Sequence, residues 1–278
     1  MQLPTIRIMT PADVDRTADA MVREGWGDRR VKMAFVADHP QCAPFVAESD
    51  GAIVGTGVAT MNGAVAWIGT IWVDTPWRRR GLGRALTLAT IDAAEAAGCR
   101  TQVLVATKVG QPLYEGLGFV VQTGYRILEA PGLDGGDAPA GTRPFRPSDL
   151  PAITALDAAA TGEDRGHLLA AFAAPATTTC LDRADGSLGG FVVRAPWGGG
   201  ATIAPAAEDA LAILHARRLA AGPAKRVRAG LLADNVAGLD LLTREGWVDS
   251  WQAPRLIRGP IPVWTPNAIW GQFDHAVG

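Results

Sequence analysis

The sequence is poor in the residues from which cross-links and metal centres are made. Its three cysteines, Cys42, Cys99 and Cys180, are odd in number and far apart. They offer no disulfide framework and no zinc spacing, and a reducing cytosol is the simplest setting. Four histidines, His39, His167, His215 and His275, are scattered, so no metal site is expected. Neither sign of charge dominates: 26 Lys+Arg stand against 28 Asp+Glu, a formal charge of −2. The electrostatic footprint of a nucleic-acid or anionic-membrane binder is therefore missing. Met1–Arg7 lacks a basic segment followed by an apolar run, so no secretory leader is expected there. Tyrosine is scarce, with only Tyr114 and Tyr125.

One apolar stretch needs a decision. From Gly51 to Val73 no residue is charged, which is length enough to cross a bilayer. It holds five glycines, three threonines and the pair Asn62-Gly63. Asn-Gly between apolar runs favours a hairpin, so two buried strands, 52–60 and 64–73, are expected and a membrane span is not.

With 278 residues, 48% of them hydrophobic, the chain can build one large or two modest domains. A weak internal repeat favours two. Arg7, Pro11 and Asp13 recur as Arg143, Pro147 and Asp149, Asp50-Gly51…Gly55 as Asp185-Gly186…Gly190, and Leu117-Gly118-Phe119 as Glu245-Gly246-Trp247. The order is conserved between the copies. The Pro/Gly/Asp-rich segment 131–141 reads as a linker between domains 1–130 and 142–278.

In the first half a strand is expected at 5–9, a helix from Pro11 to about Glu24, and a strand at 43–48 before the hairpin. A long helix from about Gly81 to Ala97, stopped by Gly98, a strand at 102–106 and a short helix at 111–116 follow. Phe119–Leu128 reads as a closing pair of strand segments. The second half reads as a helix at 148–160, strands near 178–183, 189–194 and 200–204, a helix at 206–221, a strand at 226–232 and a helix at 235–245. Asn235 is placed to cap the last of these.

Chemistry concentrates in Arg78-Arg79-Arg80-Gly81-Leu82-Gly83-Arg84, between a buried strand and the long helix. Glycines let the backbone approach an anion, unpaired N–H groups at the helix start point at it, and the helix dipole favours negative charge. Arginines add charge-assisted hydrogen bonds suited to phosphate. The segment is not a P-loop, because no Gly-Lys-Ser/Thr follows, and it lacks the G-x-G-x-x-G of dinucleotide folds. Tyr114, on a short helix after a strand, is either a general acid or a packed aromatic with one satisfied hydroxyl.

These residues resemble the GNAT family of N-acetyltransferases over about residues 5–128. The family's Arg/Gln-x-x-Gly-x-Gly/Ala loop is met by Arg78, Gly81 and Gly83, and Leu113-Tyr114 with Gly118-Phe119 resembles its second signature. The resemblance implies an α/β (α+β) fold of two tandem GNAT-like domains, each a mixed, mostly antiparallel sheet flanked by helices. It implies acetyl transfer from acetyl-coenzyme A to a small-molecule amine, with no metal, no nucleic acid and no membrane, by a cytoplasmic monomer or homodimer. On that likeness the cofactor's diphosphate rests on Arg78, Arg79, Arg80, Gly81, Leu82, Gly83 and Arg84, its pantetheine pairs along Ile71, Trp72 and Val73, and Tyr114 protonates the departing thiolate.

Strand 64–73 carries no carboxylate, where many family members place a glutamate. Glu24, Glu48, His39, a water chain or an amine arriving neutral stand as alternatives for the base. Trp26, Trp67 and Trp72 either line an acceptor pocket or belong to the core. The second half resembles the first without its chemistry. Leu242 stands where Tyr114 does, and Ile203-Ala204-Pro205 replaces the arginine–glycine loop. Asp164-Arg165 reads as a local ion pair or part of the acceptor site, and Ile257–Gly271 as an apolar tail packed on the body or a neighbour. The alternative to an enzyme with a degenerate second domain is a non-catalytic acyl-coenzyme A sensor.

Overall fold

In the computed structural model of the chain, which describes residues 4–278, the recurring Arg…Pro…Asp segments build the same small device twice. Arg7 pairs with Asp13 at 2.7 Å and with Glu48 at 2.6 Å; Arg143 pairs with Asp149 at 2.7 Å and with Asp182 at 2.5 Å. Each planar guanidinium joins a first strand, the turn after it and the neighbouring strand. In each copy the aspartate also accepts from a backbone N–H, that of Thr10 or Arg146, which seats the helix that follows.

The first half runs β1 (Thr5–Ile8), α1 (Val14–Arg23), α2 (Arg30–Asp38), β2 (Cys42–Ser49), β3 (Ala52–Asn62), β4 (Val65–Val73), α3 (Leu82–Ala96), β5 (Thr101–Val105), α4 (Gln111–Glu115) and β6 (Val120–Pro131). The second runs β7 (Thr142–Pro144), α5 (Leu150–Thr161), α6 (Gly166–Phe172), β8 (Thr178–Asp182), β9 (Leu188–Arg194), β10 (Gly200–Ile203), α7 (Ala207–Ala221), β11 (Arg226–Leu232), α8 (Val236–Arg244), β12 (Val248–Arg258) and β13 (Ile269–Gly271). Residues 132–141 between them form neither helix nor strand.

The strands form two sheets, β1-β2-β3-β4-β5-β12-β6-β11 and β13-β10-β9-β8-β7. Sheets flanked by helices are the expected class; the eight-stranded one is mixed through its parallel β4–β5 pair, and the five-stranded one is antiparallel throughout. The closing strand pair expected at Phe119–Leu128 is a single strand, β6. Its neighbours are β12 and β11 of the second half, both antiparallel. The halves thus exchange a strand: β12 lies beside β5, and β6 beside β11. Local periodicity marks a strand but not its partner, so this exchange is invisible in the sequence. Helices α2 and α6 were also not anticipated.

The hairpin turn falls on Gly63-Ala64, one residue later than Asn62-Gly63 implies, with Gly63 at φ 67°. Asn62 closes β3 instead, and its fully buried amide donates to Glu163 at 2.8 Å. Asn235 caps α8 as expected, accepting from the Gly238 N–H at 2.9 Å.

Helix α3 buries Leu82, Leu86, Thr90 and Ala94, one stripe at helical spacing, against one face of the large sheet. Helices α1 and α2, with much of the second half, cover the opposite face. Among the described residues no helix is long and apolar enough to cross a membrane. No three His, Cys, Asp or Glu side chains there are grouped to hold a metal ion.

Candidate active site

β4 and β5 run parallel in register only from Val65↔Thr101 to Trp67↔Val103. Beyond Trp67 they part, because β4 bulges: the register with β3 shifts between Thr56 and Val58, and Thr70 takes φ 52°. The Thr56 hydroxyl donates to the Thr70 carbonyl at 2.7 Å and pins the bulge. Residues 68–73 therefore present toward β5 an edge that no described strand covers, and Ile71, Trp72 and Val73 lie on it.

At the end of that edge the chain turns through residues 75–77 and enters α3. Arg79 at φ 61° and Gly81 at φ 85° are both left-handed, and no side chain caps the helix. The first N–H groups of α3 are consequently uncapped, and a Cβ built on Gly81 would meet nothing within 4 Å. Arg78, Arg79, Arg80 and Arg84 are exposed around this start, whereas Leu82 is buried and anchors it.

The arginines are not equivalent. Arg78 donates from Nε to the Val73 carbonyl at 2.9 Å and pairs with Glu24 at 2.7 Å, so it braces the corner. The Arg80 guanidinium stacks over Trp77 at 5.6 Å.

Helix α4 docks on the same corner. Leu113 Cδ1 would lie 3.5 Å from a Cβ on Gly83. Tyr114 packs in one cluster with Ile68 and Ile71 of β4, Leu104 of β5 and Phe119, and so stands at the gap between the diverging strands. Its hydroxyl has no hydrogen-bond partner among the described residues, and burial pushes its pKa up to about 12. The phenol stays protonated across the physiological range, as a proton donor must.

The carboxylates considered as bases are engaged elsewhere. Glu48 belongs to the Arg7 device and also pairs with Arg16. Glu24 accepts from the Thr75 hydroxyl at 2.5 Å and from Arg78, and these donors hold its carboxyl below the usual range. His39 packs between the tilted rings of Phe35 and His167 at the end of α2. Trp67 and Trp72 are core residues, whereas Trp26 is largely exposed. Arg165 pairs with Asp157, not with Asp164.

Two features on the far face of β4 carry no local sequence signal. Glu163, buried before α6, accepts from Trp67 Nε1 at 2.9 Å. Residues 272–278 lie across the same face. The Thr60 hydroxyl donates to the Ala276 carbonyl at 3.0 Å, Lys32 pairs with Asp274 at 2.8 Å, and Gln272 donates to the Tyr125 hydroxyl at 2.7 Å. The contact is close enough that a Cβ on Gly69 would lie 2.4 Å from that of Ala276. The expected tail Ile257–Gly271 does pack on the body, with Ile257 and Trp270 buried and β13 paired to β10; the segment lying over the bulge is the one after it, 272–278.

In the second half the equivalent gap is filled. β13 pairs with β10 through Thr202↔Gly271 and Ile203↔Ile269 and also packs against β11. Leu242, at the position matching Tyr114, is fully buried in core.

His167 links the halves and is pH-sensitive. Its Nε2 donates to Asn62 Oδ1 at 3.0 Å, and its Nδ1 is buried without a partner. Burial, aided by His39, lowers its pKa from 6.5 to about 4. The unfolded chain therefore binds the extra proton between those values, and stability should fall as pH drops through that window. Urea midpoints measured across it should fall less steeply in His167→Gln than in the parent; equal slopes would exclude His167 as the source.

A family model described as the acetyltransferase (GNAT) family matches residues 12–119. The Bacillus subtilis (strain 168) protein YitH, described as an uncharacterized N-acetyltransferase, is 31% identical over 202 residues, covering 70% of each chain. A solved Pyrococcus horikoshii protein, provisionally described as an acetyltransferase, superposes with a TM-score of 0.82 at 20% identity over 100% of this chain and 97% of that one. A tandem GNAT protein from the clavulanic acid biosynthesis pathway superposes with a TM-score of 0.63 at 16% identity, over 94% and 100%.

Proposed function

The chain belongs to the GNAT family of acetyltransferases, and from that premise we propose that its first half moves an acetyl group from acetyl-coenzyme A to the amine of a small-molecule acceptor. One observation carries this function. An uncapped helix start ringed by arginines, an uncovered strand edge and a phenol without a partner converge on one gap, in one half only.

The residues fit the co-substrate. The space before Gly81 is open, and the N–H groups from Arg79 to Arg84 suit a diphosphate. The edge at Ile71, Trp72 and Val73 suits a pantetheine arm pairing as a strand would. When bound, acetyl-coenzyme A supplies an acetyl group activated as a thioester. Tyr114, at the gap, would supply the proton for the departing thiolate. Residues 1–130 act as the catalytic unit, with 142–278 completing the acceptor side through Glu163 and residues 272–278.

Calorimetric titration of coenzyme A tests this. One molecule should bind per chain, and Arg79→Ala with Arg84→Ala should weaken binding by ~1–3 kcal/mol, the range for hydrogen bonds to charged groups. These two are chosen because Arg78 and Arg80 are already engaged with Glu24 and Trp77. Unchanged affinity would remove the loop from the site. Release of free thiol over an amine panel separates an enzyme from a sensor, which would bind without turnover.

A further inference from the structure

Among the described residues two arginines are buried to 1% exposure, and only one of them pairs with a carboxylate. Arg165 is locked to Asp157. Arg255, on β12, has no carboxylate within salt-bridge distance among the described residues. Its Nη1 donates to Gln122 Oε1, and its Nε is buried without a partner. Its guanidinium lies 5.5 Å from the ring of Trp67 and 4.7 Å from that of Trp264. Directly across the strand pair stands Thr123, whose hydroxyl is also buried and unpartnered. Two π-faces lessen the cost of burying this charge, but an orphaned N–H on a buried cation remains unfavourable.

The position is specific. Trp67 is the last β4 residue in register with β5, and Arg255 pairs with Val105, two residues beyond Val103 on the diverging stretch of β5. Arg255 therefore borders the gap on the face opposite the Tyr114 cluster.

Building on the acetyltransferase reading, we infer that Arg255 and Thr123 form a subsite for a carboxylate on the acceptor. The acceptor is then an amino acid or a comparable amine bearing one carboxylate. A carboxylate takes the Nε–Nη edge of a guanidinium and a hydroxyl hydrogen together. A phosphate dianion matches less well, because Glu163, buried on the same face against Trp67, already opposes a second negative charge there.

The test compares N-acetyl amino acids with their carboxamides, titrated into the coenzyme A-loaded protein and followed by tryptophan fluorescence. For at least one pair the acid should bind about tenfold more tightly than the amide. Arg255→Gln should bring the two within about twofold, and Arg255→Lys should retain part of the difference. No preference for any acid across the twenty pairs, or a preference surviving in Arg255→Gln, would overturn the subsite. Should Arg255→Gln not fold, the acid–amide comparison on the parent protein still decides. Failure to bind coenzyme A in calorimetry would instead reject the acetyltransferase reading, and the same comparison on the unloaded protein would still judge Arg255.

Discussion

Replacing Tyr114 by phenylalanine is expected to lower the turnover number about 10²-fold, the lower end of the usual contribution of a general acid. The affinity for coenzyme A should hardly move. The change removes one oxygen that has no hydrogen-bond partner among the described residues and leaves the ring against Phe119 and Ile71, so stability should also be nearly unchanged. The lower end is expected for a physical reason. Burial has pushed this phenol to about 12, well above an ordinary thiol near 8.5. Full proton transfer to a departing thiolate is therefore uphill, and much of the benefit must come from the hydrogen bond itself. For the same reason the pH profile of turnover should show no limb from Tyr114 below about pH 11. Steady-state kinetics on a single amine acceptor, with calorimetry for coenzyme A, measures both effects. An unaltered turnover number would return Tyr114 to the role of a packed aromatic.

Asp157→Ala should be the most damaging single change to the fold, costing about 3–5 kcal/mol, as removal of one partner from a buried ion pair does. Arg165 Nη2 and Nε reach Asp157 at 2.5 and 2.9 Å, both out of solvent, and its Nη1 donates to the half-buried Gln272 at 2.6 Å. Burial alone would disfavour the charged guanidinium, and Asp157 reverses that balance. Without the carboxylate, a full charge stays in the interior. A drop in melting temperature of about 10 °C is expected for a chain of this size. A loss below about 1 kcal/mol by urea denaturation would mean that water reaches the site. Asp157→Leu with Arg165→Met should recover much of the loss, since an apolar pair of similar volume leaves no orphan charge. The effect should extend to the site, because Gln272, held by Arg165, begins the segment that lies over Gly69.

How much of this was legible beforehand depended on the distance over which each feature is made. The loop proposed to hold the diphosphate is local. Gly81 takes its left-handed turn, Gly98 stops α3 at φ 87°, and Tyr114 falls one short helix after β5, all from neighbours in the chain. The repeat was legible for the same reason: Arg7 and Arg143 each meet an aspartate a few residues on. What was missed is made across the chain. The bond of Arg78 to Glu24, at the end of α1, has no trace in the local sequence. Arg165 looked paired to its neighbour Asp164, but helix α5 brings Asp157 closer.

By itself, then, the sequence determined two related α/β halves, the helix start that suits a diphosphate and its presence in only one of them, because glycine torsions, arginine charge and helical periodicity act within a few residues. Only the tertiary structure decided that β6 and β12 change places, that β13 fills the second gap while no described strand covers the first, and that Arg255 is buried beside it with no described carboxylate in salt-bridge range. Strand partnership and the pairing of buried charges depend on which surfaces meet, and residues far apart in the chain carry no local trace of that.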